Sequence, residues 1–325
     1  MRLNRFDYVE PASIKEASAI LAQEPAAKIL AGGTDLLVNM KHRVEAPALI
    51  VNIKRIPGLD AIKQNSEGIR IGALTSLKTI YRDPVIAGRI PALATAAFSV
   101  GSYHHQAMGT IGGNLCQQNR CKYYNQSKWW RSARPLCVKA GGEICHVVSQ
   151  KTDCYSTYCG DMAPALLALN ARVILSGKTG PREIPLERLY SGNGKAPLAL
   201  GPGEILVQIL VPESALNGFS AYIKFANRGS IDFPIVGAAF WASGNDKEYG
   251  VAFTSIDRKP VKARQIEKVL EGKPFNQDRL EEVCALVPKE AAPVKTSLHS
   301  PAYKRQLMQR ALESALKAFL ERKKQ

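Results

Sequence analysis

No apolar run in this 325-residue sequence approaches the roughly 18 residues that a membrane-spanning helix needs, so no membrane partner is expected. The first residues, MRLNRFDYVEPASIKEA, lack the apolar core of a secretory signal, and the expected location is cytoplasmic. There is no low-complexity run and no internal repeat, which argues against a disordered tail or a stacked array. Acidic residues are short of basic ones, 28 against 44, for a net charge of +16. That excess admits nucleic acid, but the Lys and Arg residues are scattered rather than gathered in one tract, and no nucleic-acid partner is expected. A docking surface for acidic proteins or anionic substrates fits the scatter better.

What is present suits a globular chain of two or three domains, 46% hydrophobic and long enough for a substantial core. A capping box, Ser13-Ile14-Lys15-Glu16, opens a first helix to about Leu21. AKILAGGTDLLVNMK reads as a strand at 28–30, a glycine turn at Gly32-Gly33 and a helix from about Asp35. ALIVNI (48–53) and GIRIGAL (68–74) read as strands, and PVIAGRIPALATAAFSV (84–100) as one long helix. DMAPALLALNARVILSG gives a helix and then a strand. Around PLALGPGEI (197–205) the character changes. ILVQILVP, FSAYIKFA, PIVGAAFWA and YGVAFTSI read as a run of antiparallel strands, followed by helices near 263–271, 277–286 and 302–322. In the last helix Leu312, Leu316, Phe319 and Leu320 form an apolar stripe. The pattern is α+β, with a loop-rich N-terminal half and a strands-then-helices C-terminal half.

Between the halves lies CKYYNQSKWWRSARPLCVKAGGEICHVVSQKTDC (121–154), with four of the seven cysteines and two of the three tryptophans. Its apolar residues follow neither a helical nor a strand period, so something other than burial must hold it. In a reducing compartment clustered cysteines are metal ligands or redox groups before they are disulfides. The gaps of 15, 7 and 8 residues between Cys121, Cys137, Cys145 and Cys154 contain no paired knuckle, and spacing alone leaves an iron–sulfur cluster and structural zinc both open.

Two glycine loops can hold an anionic ligand. AGGTDLL sets Gly32-Gly33 between a strand and a helix, where unpaired backbone N–H groups can face a pyrophosphate. GTIGGNL (109–115) repeats the idea, Gly109, Gly112 and Gly113 clearing space while Thr110 and Asn114 offer hydrogen bonds. Neither loop is a G-x-G-x-x-G fingerprint or carries G-K-[ST]. Each alone is also what a tight turn looks like.

AKILAGGTDLL, GTIGGNLCQ, GDMAPALLALNA and KFANRGSIDFPIVGAAF together resemble, in that order, the FAD-binding subunits of the xanthine dehydrogenase family of molybdenum hydroxylases. The resemblance covers nearly the whole chain. It implies an FAD-binding domain of the PCMH (vanillyl-alcohol-oxidase-like) type at 1–195, made of two α/β subdomains (about 1–55 and 56–195). A C-terminal antiparallel sheet with helices, of the CO dehydrogenase flavoprotein type, would occupy 196–325. It implies FAD contacts at Lys28, Ile29, Leu30, Ala31, Gly32, Gly33, Thr34 and Asp35, at Gly109, Thr110, Ile111, Gly112, Gly113 and Asn114, and at Asp161 and Lys224. Where the family usually has a Gln-Ile-Arg-Asn-like segment before the second loop, this sequence has HHQAM (104–108), which leaves side-chain contacts there open.

The stretch beginning CxxYNQSxWWR resembles an insertion in one branch of that family, the beta subunits of 4-hydroxybenzoyl-CoA reductases. That implies a 4Fe–4S cluster in an insertion at 117–158, with Cys121, Cys137, Cys145 and Cys154 as its ligands. Cys116 is expected to pack near the flavin, Cys159 is a possible substitute ligand, and Cys284 reads as a buried apolar residue. His104, His105 and His146 are expected to make local hydrogen bonds. The implied role is an electron entrance from reduced ferredoxin through 4Fe–4S and FAD. Its partners would be a small 2Fe–2S subunit and a large molybdopterin subunit, in a heterohexamer of two three-subunit units. No catalytic residue is expected in this chain. The alternatives are the FAD subunit of a related hydroxylase passing electrons outward, and, in another class, a basic zinc-binding scaffold or nucleic-acid-binding protein.

Overall fold

A computed structural model describes residues 2–148, 151–295 and 298–324. The first subdomain comprises β1 (Asp7–Val9), α1 (Ile14–Gln23), β2 (Lys28–Leu30), α2 (Leu36–Lys41) and β3 (Leu49–Asn52). Its three strands pair in parallel in the order β1-β3-β2. The expected cap starts α1: Ser13 Oγ accepts from the Glu16 amide at 3.2 Å, and Glu16 reaches back to the Ala12 amide at 2.8 Å.

The second subdomain holds β4 (Ile62–Asn65), β5 (Gly68–Gly72), α3 (Leu77–Arg82), α4 (Pro84–Arg89), α5 (Pro91–Phe98), α6 (Tyr103–Met108), α7 (Ile111–Leu115), α8 (Lys128–Ser132), α9 (Met162–Ala168), β6 (Arg172–Gly177), β7 (Gly180–Pro185) and β8 (Ile205–Pro212). The C-terminal domain follows with β9 (Gly218–Phe225), β10 (Val236–Ser243), β11 (Tyr249–Thr254), β12 (Val261–Lys262), α10 (Arg264–Leu270), α11 (Gln277–Glu290) and α12 (Pro301–Arg322). Its sheet is antiparallel in the order β12-β11-β10-β9.

Two expectations need correction. The long helix over 84–100 is two, because Pro91 has no N–H to continue α4 and begins α5 instead. β8 does not belong with the C-terminal strands: it lies between β5 and β6 in the order β4-β5-β8-β6-β7. The sheets therefore part after Pro212 rather than at 195/196. Alternation marks a strand but not the sheet that claims it.

The domains share a core. Every residue of α9 is buried, packed against α5 on one side and β10 and β11 on the other. The apolar stripe of α12 covers the C-terminal sheet, Leu312, Leu316 and Phe319 lying against Phe240 and its neighbours. Among the described residues no helix is long and apolar enough to cross a membrane.

Candidate functional site

The subdomains and the C-terminal domain enclose a cavity of about 780 Å³, large among ligand pockets of roughly 300–1,000 Å³. Both glycine loops line it and touch. A Cβ on Gly32 would stand 2.1 Å from the Met108 carbonyl oxygen and 2.9 Å from Gly109 Cα, so only glycine lets the loops meet. Gly33 has φ +76°, the left-handed turn that carries the chain from β2 into α2. Thr110 caps α7, its Oγ1 accepting from the Gly113 amide at 3.1 Å. Asn114 Oδ1 accepts from the Met162 amide at 3.2 Å, tying the second loop to the start of α9.

Lys28, Ile29, Ala31 to Asp35, Gly109, Thr110, Gly112 to Asn114 and Asp161 all line the cavity. Leu30, Ile111 and Lys224 do not. Leu30 packs with Met40 and Ile50, on the opposite face of its strand from Ile29, and Ile111 is fully buried in the second-subdomain core with Leu115, four residues on along the same face of α7. Lys224 acts one step back. Its Nζ lies 3.1 Å from Asp161 Oδ1 and donates to the carbonyls of Ser99 (2.7 Å) and Asp232 (3.0 Å). Tyr222, which the motif reading missed, donates to Asp161 Oδ1 at 2.7 Å.

Burial pushes the Asp161 carboxyl up to about 6, although Lys224 and the Tyr222 hydroxyl pull the other way. Because its ordinary value is 3.8, the stabilisation tied to this proton is fully present below pH 3.8 and is lost as pH rises to about 6. The interval corresponds to on the order of 3 kcal/mol. Asp161→Asn cannot titrate and is expected to lack that decline. Urea unfolding of the two FAD-free proteins should show their stability difference changing by that amount over this range. A difference that does not vary with pH would contradict the assignment.

Further wall residues carried no sequence signal of binding: 198 and 200–206, Ile231 and Phe233. The Gly201-Pro202-Gly203 run was visible as a change of character, but not as part of a cavity. His105 also lines the cavity, with Nδ1 2.9 Å from Ser102 Oγ. A dinucleotide fits this cavity: glycines where the loops meet, the glycine turn that leads into the start of α2, and a buried Gln117 Nε2 with no partner among the described residues.

The cysteine stretch closes at its base by an antiparallel bridge between Arg120 and Thr157 and docks on the end of α2. There the Lys128 amide donates to the His42 carbonyl at 3.2 Å and Arg131 Nη2 to that of Arg43 at 2.7 Å. Cys121, Cys137, Cys145 and Cys154 line one small pocket with Tyr123, Tyr124, Lys139 and His146. Burial first, and then the neighbouring Cys137 and Cys154, raise the Cys121 thiol above its ordinary value. His146 Nε2 lies 2.9 Å from the Pro135 carbonyl oxygen.

The other cysteines go elsewhere. Cys116 and Cys159 line the large cavity, and burial pushes Cys116 up to about 12. Cys284 is buried in the face of α11 that meets the C-terminal core. The thiol pocket measures about 10 Å³, room for roughly one water. Among the described residues no three His, Cys, Asp or Glu side chains are set to hold a metal ion as they stand. The donor set suits a thiolate-bound centre, and taking one up requires the lining side chains to move outward.

The fold and the cavity define a flavoprotein: a two-part dinucleotide-binding domain joined to a helix-backed antiparallel sheet. The chain belongs to the family of FAD-binding subunits of molybdopterin dehydrogenases. The model of the FAD binding domain in molybdopterin dehydrogenase matches residues 4–214, and that of the CO dehydrogenase flavoprotein C-terminal domain matches 220–319. These edges flank the point where the two sheets part. The chain is 26% identical to the nicotinate dehydrogenase FAD-subunit of Eubacterium barkeri, over 94% of this chain and 92% of that one. It is 32% identical to the aldehyde oxidoreductase FAD-binding subunit of Escherichia coli, over 73% and 77%. A solved structure of carbon monoxide dehydrogenase from Hydrogenophaga pseudoflava superposes with a TM-score of 0.81 at 26% identity, covering 99% of each chain.

Proposed function

We propose that this chain is an electron-transfer subunit with two redox centres: FAD in the large cavity and a 4Fe–4S cluster held by Cys121, Cys137, Cys145 and Cys154. The observation that supports the second centre is the convergence of these four thiols on one pocket, while the other three cysteines lie elsewhere. FAD, when bound, exchanges electrons singly or in pairs. The chain's own residues bind and tune it. The glycine loops admit the pyrophosphate, and the Asp161, Tyr222 and Lys224 group sets polarity at the wall. Seven Lys and Arg from Arg120 to Lys151 stand against Glu143 and Asp153, a balance that eases reduction of an anionic cluster.

The partners that fit are a large molybdopterin subunit, where substrate chemistry occurs, and a small 2Fe–2S subunit, assembled as two three-subunit units. With the insertion's resemblance, this supports a ferredoxin-linked reductive dehydroxylation of the 4-hydroxybenzoyl-CoA type. The relatives favour a second reading. They are named as subunits of nicotinate dehydrogenase, aldehyde oxidoreductase and carbon monoxide dehydrogenase, which supports an FAD subunit that passes electrons outward.

Cofactor analysis of the anaerobically purified complex separates the readings. The first expects about four iron atoms on this chain beside FAD, and reduction by ferredoxin. Zinc in the cysteine pocket, or flavin without iron there, would end the two-centre proposal. A complex that oxidises an aldehyde or purine and ignores reduced ferredoxin would establish the second reading.

A further inference from the structure

Arg120 is the last residue before the cysteine stretch, and its side chain is engaged on several sides. It pairs with Asp35 at the first glycine loop, donates to Asn39 Oδ1 at 3.4 Å, and lies 4.9 Å from the Phe233 ring centre. Its backbone exchanges hydrogen bonds of 2.8 and 2.9 Å with Thr157, closing the base of the stretch. Asp35 also accepts from the Gln118 amide at 3.4 Å. Arg120, Asp35, Gln118 and Phe233 all line the large cavity, and the paired side chains are only 19% and 26% exposed.

A lone carboxylate in the wall of a cavity that takes a pyrophosphate would repel it, because weak screening in a protein interior magnifies like-charge repulsion. Arg120 cancels that charge. The cation is carried by the root of the cysteine stretch, so the charge balance of the cavity depends on that root being docked.

We infer that Arg120 is a positioning residue that couples FAD binding to the docking of the cysteine stretch through its pair with Asp35. The coupling is reciprocal: FAD favours the docked stretch as much as docking favours FAD. The inference rests on FAD occupying the cavity and is independent of what the four cysteines hold.

The test uses the full chain as purified, stripped of FAD and titrated with it, while tryptic cleavage within 121–154 is followed by mass spectrometry. Lys128 and Lys151 are exposed reporters. FAD is expected to slow cleavage of the wild type about fivefold or more. Arg120→Gln should weaken FAD binding about tenfold and be cleaved at one rate with or without FAD. Arg120→Lys should restore part of both effects. In the double variant Asp35→Asn/Arg120→Gln neither charge remains, so FAD affinity should return toward wild type while protection does not. A merely structural Arg120 would leave the double variant no better than Arg120→Gln, and that result would overturn the inference. So would wild-type FAD affinity in Arg120→Gln, or wild-type cleavage that is indifferent to FAD. A wild-type chain that takes no FAD at all would instead refute the cavity assignment.

Discussion

If the four thiols hold the proposed cluster, Cys145→Ser is expected to strip most of the iron from this chain while FAD stays bound. Serine is a poor ligand at a site built for thiolates, and three thiols hold a four-iron cluster weakly. Cys145 is buried on the thiol pocket, and its amide donates to the Lys151 carbonyl at 2.8 Å. Among the described residues the stretch has a short α-helix, α8, and a single 3-10 turn at Val138–Ala140, neither with a buried residue, and loss of the centre should expose it to protease. The flavin loops lie outside it, which is why flavin content should not change. Electron delivery from ferredoxin to the assembled complex should fall by more than tenfold, while a dye that reaches the flavin directly should still react. Cys159→Ser is the control, because Cys159 lines the other cavity, and it should keep both cofactors. Full iron in Cys145→Ser with iron lost from Cys159→Ser would mean that the ligand set is wrongly drawn.

Gly32→Val should abolish stoichiometric FAD binding. The added Cβ meets backbone on three counts: the Met108 carbonyl oxygen at 2.1 Å, and Gly109 Cα and the Met108 carbonyl carbon at 2.9 Å each. Backbone cannot rotate away as a side chain can, so one glycine loop must move off the other. Overpacking of this kind costs roughly 1–3 kcal/mol, enough to weaken FAD tenfold or more even in a chain that still folds. Gly88→Ala, where a Cβ meets nothing within 4 Å, is the control for substitution itself. Flavin content and fluorescence, measured with the melting temperature, separate a lost site from a lost fold. A folded Gly32→Val protein with full flavin would place the cofactor elsewhere.

Much of this was legible in the chain itself. The turn at Gly32-Gly33, the cap at Ser13, the helix after Asp161 and the stripe of α12 follow from local periodicity and backbone preference, which operate over a few residues. The four cysteines, too, stood out by their setting in a stretch with no period of its own. Long-range partnership was not legible. Nothing local says that Gly32 must meet Met108, that β8 enters the sheet of the second subdomain, or that residues 200–206 wall a cavity. The same holds for the pair of Asp35 with Arg120, and for the division that sends Cys159 to the flavin cavity and Cys154 to the thiol pocket five residues earlier. Those outcomes depend on sheet order and on which loops the packed domains bring together. An alternating pattern shows which face of an element is buried, and only the tertiary structure decides what buries it.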